Sequence, residues 1–104
     1  MKSNASARTG FNDALILSAL SAGCEYGLEV MEKTGLSSGT VYPALRRLES
    51  GGLVEADWEV EERAHAAGRP ARRYYRLTVA GERAMEEAVA RINARQRALG
   101  WGQS

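Results

Sequence analysis

"SSGTVYPALRRLESGGLV", Ser37 to Val54, contains a helix, its stop and the start of a strand in one short run. Val41, Leu45 and Leu48 fall at i, i+4 and i+7, so one side of the segment faces a core and the segment reads as an amphipathic helix. The opposite side carries Ser38, Tyr42, Arg46 and Arg47. A helix face that only has to stay in water more often alternates Glu and Lys. This one presents hydroxyls, a phenol and two guanidiniums. Ser37 or Ser38 caps the helix, and Gly51 and Gly52 end it. Pro43 sits about one turn inside, where its ring crowds the carbonyl of Gly39, and a distorted first turn is expected.

Upstream, Phe11 to Ala22 is densely apolar, with Asn12 or Asp13 as the N-cap and Gly23 as the stop, so it reads as a buried first helix. "EYGLEVMEKTG" follows as a short second helix ended by Gly35. Downstream the period changes to two. Val54, Ala56, Trp58 and Val60 share one face, and Glu55, Asp57, Glu59 and Glu61 the other, which marks a half-buried antiparallel strand. "RRYYRLT" is the return strand, with Tyr75 and Leu77 in the core beside Trp58 and with Tyr74 and Arg76 outside. Between them "RAHAAGRPA" lacks an apolar period and contains Gly68 and Pro70, which predicts an exposed, basic, mobile hairpin tip. Thr78 then caps a last helix in which Met85, Val89, Ile92, Gln96 and Leu99 are spaced 4, 3, 4 and 3, the seam of a coiled-coil-like contact with a second chain. Gly81 is expected to break that helix early.

The chain has 104 residues, 44% of them hydrophobic, enough for one modest core. No apolar run approaches the ~18 residues that span a bilayer, and the polar start "MKSNASARTG" leads into no signal-peptide pattern, so a cytoplasmic protein without membrane partners is expected. A single cysteine, Cys24, and a single histidine, His65, cannot fill a four-ligand zinc site, and no metal or cofactor is expected. Cys24 reads as a small buried hydrophobe and His65 as a solvated residue. Net charge is only +1, but it is unevenly laid out: Glu55 to Glu62 holds five acids and no base, and Arg63 to Arg76 five arginines and no acid. Cross-strand ion pairing would explain such a hairpin without any ligand. No nucleophile and base pair, phosphate-cradling glycine loop or metal cluster points to an enzyme.

The order helix, short helix, amphipathic helix, two-stranded wing, long helix is that of a winged helix-turn-helix with an added C-terminal dimerisation helix, a mainly α fold with a small β-hairpin (α+β). Its parts are a disordered tail over 1–10, the winged helix-turn-helix over 11–78, the C-terminal helix over 79–100 and a tail over 101–104. "SSGTVYPALRRLESGGLV" followed by "ARRYYRLTVAGERAM" resembles the PadR-like transcriptional regulators, whose third helix carries Gly-Thr-x-Tyr-Pro-x-Leu-x-x-Leu-Glu and whose second strand runs into Tyr-x-Leu-Thr-x-x-Gly. The resemblance spans roughly Phe11 to Ala90. "EYGLEV" is similar to the family's His-Gly-Tyr-Glu-Ile segment, but the histidine is absent and Tyr26 precedes the glycine. The resemblance implies a dimeric bacterial regulator, usually a repressor, that binds a palindromic operator and releases it on binding a small molecule. The single C-terminal helix resembles that of the smaller subgroup.

An α-helix fits the major groove and approaches base edges with its N-terminal part, so Ser37, Ser38, Thr40 and Tyr42 are placed to meet double-stranded DNA, with Arg46 one turn further. Arg46 also has Glu49 at i+3, whereas Arg47 has no acid at i+3 or i+4. Arg69, between Gly68 and Pro70, suits a narrow minor groove. Of Arg72 and Arg73, one is expected on DNA and one in an ion pair; Arg72 is counted with the DNA set. Leu15, Ala19, Met85, Val89, Ile92 and Leu99 are the expected homodimer interface. A small planar apolar effector is expected between protomers, where Trp101 either stacks on it or frays with the tail. The rival reading is a winged-helix protein-interaction module without an operator, in which Arg46, Arg47 and Arg69 are all neutralised by the acidic strand, leaving no continuous positive face.

Overall fold

The computed structural model describes residues 9–100; of the expected tails over 1–10 and 101–104, residues 1–8 and 101–104, and with them Trp101, lie outside the described residues. Five helices and a two-stranded antiparallel hairpin follow in the order α1 (Phe11–Ser21), α2 (Gly27–Thr34), α3 (Ser38–Ser50), β1 (Val54–Trp58), α4 (Glu61–Ala66), β2 (Arg73–Leu77) and α5 (Val79–Ala98). This is a winged helix-turn-helix with an added C-terminal helix, the mainly α architecture expected from the sequence.

α1 is apolar around much of its circumference, and a helix of that kind belongs in the middle of a fold. It packs against α2, α3, α5 and β2. Ile16, Leu17 and Leu20 meet Val30 of α2, Val41, Ala44, Leu45 and Leu48 of α3, and Val54 and Tyr75 of the hairpin in one core. The α1 cap is not a side chain: Gly10 is the N-cap residue, and Asp13 lies in the first turn. α2 ends on Gly35 in the left-handed conformation at φ 78°, which glycine adopts without a Cβ penalty. α3 begins after Ser37, whose carbonyl accepts from both Thr40 and Val41 N–H groups. The helix runs unbroken through Pro43, so the distortion expected of its first turn is confined to that shared acceptor.

The hairpin pairs Val54 with Leu77, Ala56 with Tyr75 and Trp58 with Arg73. The segment before α2 adds a single antiparallel bridge between Tyr26 and Tyr74, with Tyr75 N–H donating to the Glu25 carbonyl. β1 ends at Trp58, and there the expected alternation fails: Val60 is exposed and Glu59 is buried. The expected mobile tip is instead the short α4, closed by a turn at Gly68. Its acids, Glu61 and Glu62, occupy the first turn, and Arg63 and His65 the last, the arrangement that the helix dipole favours.

α5 runs on through Gly81 without a break. Thr78 Oγ1 accepts from Gly81 N–H at 3.0 Å and donates to the Gly52 carbonyl at 2.7 Å, while Thr78 N–H donates to the Leu53 carbonyl at 3.1 Å. A Cβ at residue 81 would overlap that Leu53 carbonyl, a backbone atom that cannot swing aside. The glycine is there for close approach. Gly81→Ala should therefore lower stability by ~1–3 kcal/mol through overpacking, although alanine is the better helix former by about 1 kcal/mol. Denaturant unfolding of the two proteins measures this, and an alanine variant as stable as the wild type would refute it.

Candidate nucleic-acid interface

At 100° per residue, Val41, Ala44, Leu45 and Leu48 occupy the inner side of α3, and all four are buried. Gly39, Pro43, Arg46 and Ser50 lie opposite. Their small or flat side chains leave Arg46 projecting from an open surface that continues onto Arg47. Ser37, Ser38 and Arg46 are exposed, and Thr40 is half-buried with its hydroxyl 3.4 Å from the Ser37 hydroxyl. Tyr42 is 38% exposed and lies across the start of α2, where its ring occupies the space that a Cβ on Gly27 would need. The inner edge of Tyr42, counted with the DNA-facing residues, thus packs on Gly27 of α2.

The guanidiniums divide into three states. Arg46 makes no ion pair or side-chain hydrogen bond among the described residues; its expected partner Glu49 instead accepts from Arg73 Nη2 at 3.0 Å. Arg47 donates to Asp13 Oδ1 of α1 at 2.8 Å, with most of its side chain in solvent. Such exposed pairs contribute ~0–1 kcal/mol and exchange readily for phosphate. Arg69 is held firmly. Its Nη1 and Nη2 donate to Glu59 Oε1 and Oε2 at 2.6 and 3.0 Å, a bidentate pair on a buried carboxylate. Arg69 is thus not the free guanidinium at a mobile tip that the sequence suggests, because a buried carboxylate must be paired.

Glu59 is the centre of the wing. Beyond Arg69, its carboxylate accepts from Arg72 N–H at 3.2 Å and Tyr74 O–H at 3.3 Å, and its own N–H donates to the Arg72 carbonyl at 2.7 Å. Arg72 lays its guanidinium over the Tyr26 ring at 4.1 Å, and Tyr26 meets Tyr74 edge to face at 5.9 Å. Arg73 is the ion-paired member of the two, though with Glu49 of α3 and not with the acidic strand. The acids of that strand are taken by Arg76, which donates to Glu55 at 3.1 Å and Asp57 at 2.9 Å.

On the other side of the molecule, α5 faces α1 with Gly81 and Ala88 buried and Met85 half-buried against the core. Arg91 Nη2 donates to the Thr9 carbonyl at 2.9 Å. Ile92 is half-buried, Val89 and Leu99 are exposed, and Phe11 is exposed at the start of α1. Phe11, Ala88, Ile92 and Leu99 line an open groove of about 560 Å³. Leu15 is half-buried. Ala19, expected at the dimer axis, is buried in the protomer's own core, because α1 is the central helix. Cys24 packs against the core, and burial, followed by Glu29, raises its thiol pKa, which disfavours the reactive thiolate. His65 is exposed on α4. Among the described residues no group of acids, cysteines and histidine could hold a metal ion, and no helix is long and apolar enough to cross a membrane.

Sequence reasoning missed Asp13, Gly27 and Glu59. Only Glu59 left a local signal: "EERAHAAG" is a short helix with acids first, bases last and a terminal glycine. That pattern had to end the strand before it.

The family described as "Transcriptional regulator PadR-like family" matches residues 16–87. A PadR family transcription regulator from Clostridium difficile R20291 is 28% identical, superposes with a TM-score of 0.75, and is matched over 88% of this chain and 96% of its own. A PadR family regulator from Eggerthella lenta is 29% identical with a TM-score of 0.69 over 85% and 77% of the two chains. The PcaV transcriptional regulator from Streptomyces coelicolor, solved with its natural ligand, is 25% identical with a TM-score of 0.71 over 88% and 62%. No curated protein sequence matches the chain.

The wing has a pH signature. Arg69 first, and then the Arg72 N–H and Tyr74 hydroxyl against the opposing effect of burial, hold the Glu59 carboxyl down from 4.5 to about 2. A depressed carboxyl stabilises the fold fully above its unfolded value and loses that contribution as pH falls towards the folded one. Wild-type stability should therefore decline between pH 4.5 and about 2 more steeply than that of Glu59→Gln, which starts lower. Thermal melts across that range test this, and parallel profiles would refute it.

Proposed function

The chain belongs to the PadR-like family of transcriptional regulators, and from that membership we propose that it is a repressor that binds an inverted-repeat operator as a homodimer in the cytoplasm. Its family is one of DNA-binding regulators and not of enzymes. The observation that carries the reading is Arg46 at the middle of an open α3 face, with no ion pair among the described residues. α3 enters the major groove, with Ser37, Ser38, Thr40 and Tyr42 near its entry and Arg46 and Arg47 reaching phosphates or base edges. Arg47 exchanges Asp13 for a phosphate. Arg69 and Arg72 act at the wing, Arg69 chiefly by bringing the backbone of the tip to the DNA while Glu59 keeps its charge. Of the three arginines the rival module would neutralise with the acidic strand, Arg69 is paired with Glu59 just after it, Arg47 with Asp13 of α1 instead, and Arg46 makes no ion pair among the described residues. This and the family favour DNA binding over that module.

The dimer forms through α5. Val89, Ile92 and Leu99, with Met85 and Leu15 at its edge, supply an apolar stripe that one protomer leaves uncovered. Two α3 helices related by the two-fold axis then meet major grooves about one turn, ~10 bp, or a multiple apart. PcaV was solved with a natural ligand, and the groove beside Phe11 and Ile92 offers a flat apolar effector a place here. Trp101 would stack on such a ligand.

Selection of bound duplexes from a random library tests the reading, with an inverted repeat as the expected product. Arg46→Ala should weaken binding to the selected duplex and make the log-log salt slope shallower by roughly two per dimer, one for each protomer. Unchanged affinity and slope would remove Arg46 from the site. Val89→Glu combined with Ile92→Glu should yield monomers in sedimentation, and a wild-type protein already monomeric at micromolar concentration would refute the dimer.

A further inference from the structure

Trp58 ends β1 on the face that carries Val54 and Ala56 into the core, yet the indole is 65% exposed. By that residue the wing has run past the core. One neighbour holds the ring: Arg73, opposite it in register, places its guanidinium over the indole at 5.2 Å and donates to Glu49 Oε2 of α3 at 3.0 Å. The cation over the ring and the ion pair form a bracket from α3 to the wing. Glu49 lies within roughly 60° of Arg46 around the α3 axis. The bracket thus ties the indole to the side of α3 that adjoins Arg46, which makes no ion pair among the described residues. Within it Arg73 and Glu49 cancel, so the acid does not repel an anion arriving at that surface.

We propose that Trp58 packs against the sugar–phosphate backbone of bound double-stranded DNA, between the α3 site and the wing, with its indole N–H donating to a phosphate oxygen. The inference rests on the DNA-binding reading above. A deoxyribose offers an apolar C–H surface and the phosphate an acceptor, which suits a side chain that is a large apolar plate with a single donor. Half to two-thirds of the hydrogen bonds between proteins and DNA go to this backbone. Glu49 and Arg73 are positioning residues that fix the plate before DNA arrives. Because the contact adds no net charge, it contributes affinity without releasing counterions. That separates it from Arg46.

The experiment uses Trp101→Phe protein, in which Trp58 is the one remaining tryptophan, and the duplex selected as above. Acrylamide quenching of Trp58 should be efficient in the free dimer and fall several-fold at saturating duplex. Trp58→Ala should weaken duplex binding by about tenfold, ~1.4 kcal/mol, with the salt slope unchanged, and Trp58→Phe should lose less. Arg73→Gln should lower the fluorescence anisotropy of Trp58 in the free protein and weaken binding, a change that loss of fold alone would not confine to one side chain. Should Trp58→Ala fail to fold, the quenching and the phenylalanine variant still decide. Quenching indifferent to DNA, or Trp58→Ala binding as wild type while Arg46→Ala is weakened, overturns the Trp58 role and leaves the DNA reading intact. A Trp58 already shielded in the free dimer overturns it in favour of burial against a second copy. A wild-type protein that binds no duplex overturns both.

Discussion

The close approach of Gly81 to the Leu53 carbonyl holds the working parts of this molecule in relation to one another. Leu53 N–H donates to Leu48 at the end of α3, and its carbonyl accepts from Thr78 at the end of the hairpin. Thr78 Oγ1 ties Gly52 to the first turn of α5. Four element ends, those of α3, β1, β2 and α5, therefore meet at one set of hydrogen bonds, with no room for a Cβ at residue 81. The tilt of the wing beside α3 and the course of α5 across α1 are set at one junction. Helices and strands of this size are individually marginal in water, so the junction also lets each element share the core of the others.

The electrostatics follow from how the wing disposes of its acids. A hairpin with an acidic arm next to α3, the helix proposed to face DNA, would oppose the approach of phosphate if those charges stood free. Three of the five acids between Glu55 and Glu62 are paired: Arg76 takes Glu55 and Asp57, and Glu59 is buried with Arg69, while Glu61 and Glu62 stand exposed in the first turn of α4. Glu49 is taken by Arg73 and Asp13 by Arg47. The balance of +1 for the whole chain hides this. What matters for a polyanion is which cation remains when the internal pairs are made, and on α3 that cation is Arg46.

Much of the architecture was legible because it rests on local periodicity. The 3.6-residue repeat of Val41, Leu45 and Leu48, the two-residue repeat that begins at Val54 and the Thr78 cap each name an element and its buried side. The Thr-x-x-Gly pattern likewise marked the start of α5, although its glycine serves packing and not helix termination. Legibility failed where a residue's role depends on a partner distant in sequence. Arg47 has no acid at helical spacing, but Asp13 reaches it from 34 residues away. Glu59 continues a perfect alternation by sequence, and it turns inward because α4 carries Arg69 back to meet it. Trp58 was assigned to the core by the same alternation, which cannot say where the core ends. Periodicity gives the direction of a side chain and not the extent of what lies there.

Those distant pairs also determine how the two halves of the molecule can influence each other. Phe11, in the apolar groove beside α5, and Asp13, the partner of Arg47, belong to the same first turn of α1. Arg91 of α5 grips the Thr9 carbonyl just ahead of that turn. The beginning of α1 is thus held between the helix that carries the exposed apolar stripe and the helix that carries the exposed cations. In the proposed dimer or effector complex, an occupant of the groove would press on the turn that presents Asp13, and Asp13 would compete with phosphate for Arg47. Occupancy can shift DNA affinity only by the difference in its own affinity for the two placements of that turn. An exposed ion pair contributes ~0–1 kcal/mol, so this route alone supplies at most a change of several-fold in affinity per protomer. Any larger effect of groove occupancy on DNA would have to come through the crossing of α5 on α1, which in the proposed dimer would set the spacing of the two α3 helices.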